Sequence, residues 1–378
     1  MAILSEEQVM LKDAASAWAR DRSPIAAYRK LRNSGALQGY DSALFAEIAE
    51  MGWAGIVAPE EHGGADFGFM SMGVVLEQLG RTLTPSPLVN SSLAAVIGLR
   101  RAGSAAQQQH WLPKIAAGEA VVTIAVDEGA QHNPLAVALK AEKSRGNWLL
   151  NGEKRPVLHG MGASAVLVAA RTSGAAGDVE GLTLFIVPTN APKLSKASLA
   201  EVEQRGAAIY TFNGVELGAD AIVGEVGKAA SVLDHMLDCA RAGLAAEMLG
   251  SASAAFDITL AYLKTRLQFG QLIGSFQALQ HRAAALYGEL ELTRSAVEAA
   301  LEALDAQSPQ ARELVSLAKA LAGDTFKRVS GEMIQLHGGI GMTDEHDAGL
   351  FYKRARVADM SYGSAAYHRE RYAALTGY

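Results

Sequence analysis

Around Gly118 and again near Gly227 the sequence changes texture, and that double change limits what the chain can become. Before Gly118 the apolar residues recur at helix spacing. Leu11, Ala14, Ala15 and Trp18 follow a Ser5/Gln8 capping box; Leu44, Ile48 and Met51 precede Gly52; Met72, Val75, Leu76 and Leu79 precede Gly80. Gly52 and Gly80 are expected to stop their helices. PEEHGGADFG, Pro59 to Gly68, has the Pro, Gly and acidic content of a loop. Between the two changes lie short apolar runs: VVTIAV (Val121 to Val126), AVLVAA (Ala165 to Ala170), LTLFIV (Leu182 to Val187) and AAIYTF (Ala207 to Phe212). Turn-rich TSGAAGD and NGE punctuate them, which predicts a compact β-sandwich or barrel. From about Lys228 the spacing is helical again. The expected organisation is mostly α: a helical region over 1–118, a central β-domain over 119–227 and a helical bundle over 228–378.

Composition narrows the function classes. The chain has 378 residues, 49% apolar and 20% charged, with 34 basic against 40 acidic side chains and a net charge of −6. That balance lacks the basic face that nucleic acid or an anionic membrane requires. A single cysteine, Cys239, excludes an internal disulfide and a Cys-built metal site, so no metal is expected. The start, MAILSEEQVMLKD, has no basic and apolar export signal, and no run approaches the length of a membrane span. The expected location is cytoplasmic.

Two stretches in the last third carry recognition chemistry. RLQFGQLIGSFQALQ, Arg266 to Gln280, joins two helical patterns through Phe269-Gly270 and Gly274. The Arg266 guanidinium is a fork of donors suited to a pyrophosphate, and Phe269 offers a flat ring. QLHGGIGMT, Gln335 to Thr343, has glycines that let backbone approach a ligand. It is not a dinucleotide fingerprint, because its spacing is not GxGxxG and a helical pattern precedes it.

Together these stretches, with GWAGIVAPEEHGG upstream, resemble the acyl-CoA dehydrogenase family of flavoproteins over essentially the whole chain. The resemblance implies an N-terminal helical bundle, a β-domain, a C-terminal four-helix bundle and FAD as cofactor. It also implies a CoA thioester as substrate and an electron-transferring flavoprotein as acceptor. In this family a carboxylate removes the α-proton while a hydride passes from the β-carbon to FAD. It implies FAD contacts at Arg266, Gln268, Phe269, Ile273, Phe276, Gln277, Gln335, Gly338 and Gly339, with Val126, His132, Leu158 and Ser364 on the flavin and substrate side.

Departures from the family pattern are concentrated. The position of the usual Glu holds Tyr362, followed by Gly363 and Ser364, and the alternative seat before Arg241 holds Ala240. Glu247 shares a helix face with Ala240 but lies about 10 Å further along the axis, so it is a weak candidate for the base. Thr and Ser of the flavin loop become Val126 and His132. The stretch that covers the flavin ring becomes KRPVLH, with Pro156 for Trp and Leu158 for Thr. Family members lay each FAD across a dimer interface, with the ring on one chain and the pyrophosphate reaching the neighbour. This chain keeps the neighbour's set and departs from the ring-side set. Three readings stand at this point: a base-less subunit of a heteromeric dehydrogenase, a self-sufficient homo-oligomer using Glu247 or another carboxylate, and a flavin-free CoA-thioester binder.

Overall fold

The computed structural model describes residues 3–378. Eleven α-helices lie among the described residues, in chain order α1 Glu6–Arg22, α2 Ile25–Ser34, α3 Ser42–Glu50, α4 Gly68–Arg81, α5 Val96–Ala102, α6 Ala105–Ala116, α7 Ala230–Thr265, α8 Gln277–Asp305, α9 Ala311–His337, α10 Ala348–Met360 and α11 Ala365–Thr376. The strands are β1 Val122–Ala125, β2 Lys140–Ser144, β3 Asn147–Val157, β4 Ala165–Arg171, β5 Leu182–Pro188, β6 Leu194–Ser198, β7 Ala208–Leu217 and β8 Ile222–Val223, followed far downstream by β9 Leu267–Gln268 and β10 Gln271–Leu272. This is a helical N-terminal region, a central β-sheet region and a C-terminal helical bundle.

Local chemistry starts the helices. Ser5 accepts from the Gln8 amide while the Gln8 side chain answers the Ser5 amide, closing the capping box at α1. Asp41 caps α3 through the amides of Ala43 and Leu44.

Strands β1 to β8 form one mixed sheet in the order β6-β7-β3-β2-β4-β5-β8, with β1 added parallel to β4. Its core gathers Val166, Val168, Phe185, Val187, Tyr210 and Phe212 from alternate positions of β4, β5 and β7. β2, β3, β6 and β8 fall outside the apolar runs. β2 and β6 are mainly exposed, KAEKS and LSKAS, and show little hydrophobic pattern to read.

The chain divides into two compact units whose bounds interleave. One contains residues 29–68 and 85–240, with the sheet, α3, α5, α6 and the first turns of α7. The other contains residues 3–28, 69–84 and 241–378.

In the second unit α4 and the middle of α7 meet backbone to backbone. A Cβ on Gly250 would lie 1.8 Å from the Glu77 carbonyl oxygen, and one on Gly80 would lie 2.1 Å from that of Glu247. The expectation that Gly80 ends its helix is therefore corrected: α4 runs through it to Arg81, and the glycine serves close packing. The membrane expectation also needs one correction. Among the described residues α7 is long and apolar enough to cross a bilayer by length and composition, but 78% of its apolar window is buried inside the molecule.

This contact generates a test. Gly250→Ala should lower the unfolding free energy by about 1–3 kcal/mol, because the added methyl must push two backbones apart. Ala at Gly288, whose Cβ would meet nothing within 4 Å, should be neutral or stabilising in the same denaturation assay.

Candidate active site

The two recognition stretches meet in three dimensions. α7 ends at Thr265, and Leu267–Leu272 turns back as a hairpin with Gln271 opposite Gln268. Phe269 and Gly270 form its two-residue turn with φ of 55° and 78°, the left-handed pair such a tight turn demands. At the hairpin's base Ile273 packs with Leu263 and Leu336, while Phe276 and Tyr262 are half-buried against them. Leu336 stands one residue before His337, whose ring stacks on Tyr262 at 4.4 Å. The ends of α7 and α9 are thus fastened, which places Arg266 and Gly338 on one part of this unit.

Around that anchor the polar groups are open. Gln268, Gln277 and Gln335 are exposed, as is Arg266, whose guanidinium meets no partner among the described residues. Cβ atoms built on Gly338 and Gly339 would meet nothing within 4 Å. Phe269 is 90% exposed, with only an edge contact to Phe276. A free guanidinium, a row of amides, an open ring and uncovered glycine backbone fit the pyrophosphate and adenosine of FAD. Ile273 differs from the others, because its side chain is committed to the core.

The loop that the resemblance places on the flavin side, in the other unit, has the opposite character. The His132 imidazole turns onto Asp127, with Nδ1 at 2.8 Å from Oδ2 and 3.0 Å from Oδ1. Asp127 also accepts from the Asn133 amide. The fully buried Lys154 ammonium donates to the Val126 carbonyl at 2.8 Å and to Glu128 at 2.7 Å. Burial draws the Lys154 pKa down, and the Glu128 charge opposes that shift. Glu128 in turn accepts from the amides of Ala138 and Leu139. The Leu158 carbonyl is taken by Thr123 Oγ1 at 2.6 Å and Asn90 Nδ2 at 3.2 Å. Sequence reading missed Asp127, Glu128 and Lys154 as a set; the one signal was charge in a loop expected to carry hydroxyls.

The segment around Tyr362, expected from the resemblance to carry the base, is held by buried donors. Tyr362 is buried at φ 58°, and its carbonyl accepts from Arg241 Nε at 3.0 Å and His368 Nε2 at 3.1 Å. Lys319 is wholly buried and donates to the carbonyls of Ala358, Asp359 and Gly363. Burial, opposed by Asp359, draws Lys319 down to about 7. Burial also lowers His368, with Arg241 adding to the effect. Ser364 caps α11 through the Tyr367 amide. Ala240 is buried in α7 without polar function.

Glu247, the one relocated carboxylate considered, is 7% exposed and engaged. Its Oε1 accepts from Arg354 Nε at 3.0 Å and Nη2 at 2.8 Å. Both bonds fall on the same carboxylate oxygen, so the side chain is committed to the Arg354 pair. Glu247→Ala should cost about 3–5 kcal/mol by stranding the Arg354 charge. The double change Glu247→Leu with Arg354→Met should recover most of that loss in chemical denaturation; a single-site cost unaltered by the second change would contradict the pairing.

Comparisons with known proteins agree with this arrangement. Residues 5–119 match the acyl-CoA dehydrogenase N-terminal domain, and residues 230–375 match the C-terminal domain. The chain is 31% identical to acyl-CoA dehydrogenase IpdE2 of Mycolicibacterium smegmatis over 93% of each. It is 30% identical to mitochondrial isovaleryl-CoA dehydrogenase of Oryza sativa subsp. japonica, over 87% of this chain and 81% of the relative. The solved steroid ACAD variant Tcur3481-Tcur3483 superposes with a TM-score of 0.88 and 29% identity, covering 98% of each chain. The family performs FAD-dependent dehydrogenation of acyl-CoA. This chain belongs to the acyl-CoA dehydrogenase family and is an oxidoreductase of the CH–CH class acting on acyl-CoA.

Proposed function

We propose that this chain is the base-less subunit of a heteromeric acyl-CoA dehydrogenase, completing the FAD site of a related chain that carries the flavin ring and the catalytic Glu. The observation that carries this reading is the contrast in hydrogen-bond satisfaction. On the pyrophosphate side Arg266, Gln268, Gln335 and the Gly338-Gly339 backbone are open. On the ring side His132, Asp127, Glu128, Lys154 and the Leu158 carbonyl already bond to one another or to neighbouring protein groups. Buried polar groups bonded this way gain nothing by exchanging partners for a flavin.

Bound FAD supplies the hydride acceptor. This chain's part is to hold the diphosphate with the Arg266 fork and to lend amides and glycine backbone to the adenosine. No carboxylate stands at Tyr362 or Ala240, and Glu247 is held by Arg354, so the α-proton is assigned to the partner's base. The substrate is a CoA thioester, and the name of the steroid ACAD relative favours a bulky acyl group such as a steroid side chain. Electrons leave to an electron-transferring flavoprotein, and the location is cytoplasmic.

Expressed alone, the chain should oligomerise yet purify nearly colourless; with its partner it should hold one FAD per heterodimer. Arg266→Ala should weaken FAD retention by about tenfold to a hundredfold, the worth of a charge-assisted bond. Flavin absorbance per protein measures both. A yellow homo-oligomer with one FAD per chain and acyl-CoA oxidation would overturn the reading.

A further inference from the structure

Three aromatic rings from three different elements are stacked beneath the open nucleotide surface. Tyr262 lies on the last turn of α7, His337 at the end of α9, and His346 just before α10. The His337 ring sits 4.4 Å from Tyr262 at an interplanar angle of 29° and 4.3 Å from His346 at 46°. His337 Nδ1 donates to the Met333 carbonyl at 2.7 Å, and the Tyr262 hydroxyl reaches the His337 carbonyl at 3.5 Å. His346 Nδ1 accepts from the Ala348 amide at 3.1 Å. His337 is 3% exposed. Four residues after Tyr262 comes Arg266, and directly after His337 come Gly338 and Gly339.

We propose that His337 is a positioning residue for the nucleotide arm: its neutral ring, clamped between Tyr262 and His346, fixes the Arg266 hairpin against the Gly338-Gly339 turn. This rests on the reading of that surface as the holder of the FAD diphosphate. Apart from its own strand pairing and the backbone bonds at its base, the hairpin has few side-chain contacts. Leu267 to Leu272 are exposed, and only Ile273 enters the small core of Leu263 and Leu336. Arg266 itself bonds through its amide to the Tyr262 carbonyl and through its carbonyl to the Ile273 amide, so the residue that carries the stacked phenol also sets where the hairpin begins.

The clamp has a built-in acid limit. Burial depresses the His337 pKa; the Met333 carbonyl opposes that shift, and the adjacent His346 reinforces it. From α7 the group facing His337 is the neutral Tyr262 phenol, from α9 the Met333 carbonyl, and from the segment before α10 the imidazole of His346. A depressed histidine stabilises the fold fully above its ordinary pKa of about 6.5. That contribution is lost as pH falls from there toward the lowered value. A charge on the buried His337 ring is also costly to leave in the stack, so the hairpin should loosen in acid before the helices do.

Hydrogen–deuterium exchange on the isolated chain tests the clamp without any cofactor. Rates are corrected for intrinsic pH dependence and read on the peptide covering 262–273. His337→Ala should speed exchange there about tenfold or more while the centres of α8 and α9 stay protected. His337→Phe, which keeps a ring but cannot titrate, should retain wild-type protection at pH 7.5. It should also abolish the acceleration expected of the native chain between pH 7 and 5.5. Unchanged exchange in His337→Ala would overturn the clamp, as would an acid response that persists in His337→Phe. Flavin content of the assembly with its partner is measured beside it. A released hairpin with full flavin would overturn the positioning role, provided Arg266→Ala does reduce flavin. If Arg266→Ala leaves flavin unchanged too, the nucleotide reading fails, while the exchange result still decides the clamp.

Discussion

A 36-residue helix buried along most of its length can carry a polar group only where that group meets a partner. α7 obeys this requirement, and much of the second unit is arranged to meet it. Arg241 donates to the Tyr362 carbonyl and lies against the Tyr367 ring. Glu247 binds Arg354, and Ser251 donates to the Gly80 carbonyl. Between these points α7 is lined with alanine, glycine and serine, which lets α4 approach until Gly80 and Gly250 face opposing carbonyls. Its apolar length is spent on the core.

The same accounting separates the two halves of the cofactor chemistry. A buried ammonium such as Lys154 persists because Glu128 and the Val126 carbonyl answer it. At the end of α7 the reverse holds. Arg266 and the amides around it face outward and are solvated. Around Tyr362, Lys319, Arg241 and His368 capture four carbonyls, so the backbone frame there is strongly fixed.

What was legible in the sequence was local. The Ser5/Gln8 box, the Phe269-Gly270 turn and the apolar strands β4 and β5 each rest on contacts within a few residues or on a simple period. The family's three-part architecture followed from those periods, and the family itself from RLQFG and QLHGG. The polar strands β2 and β6 were not legible, because an exposed strand takes its structure from its neighbour's hydrogen bonds and needs no apolar alternation.

By itself the sequence determined which residues are missing: no carboxylate stands at Tyr362 or Ala240, and no hydroxyl at Val126 or Leu158. Only the tertiary structure decided what the remaining ones do. Glu247 and Arg354 lie 107 positions apart, and Tyr262 and His337 lie 75 apart. Gly80 reads as a helix stop until α7 is laid against it. Pairing across such distances is selected by how whole helices pack, since burial makes a lone charge costly and a matched one tolerable. No period or motif in one stretch of chain records which distant partner will meet it.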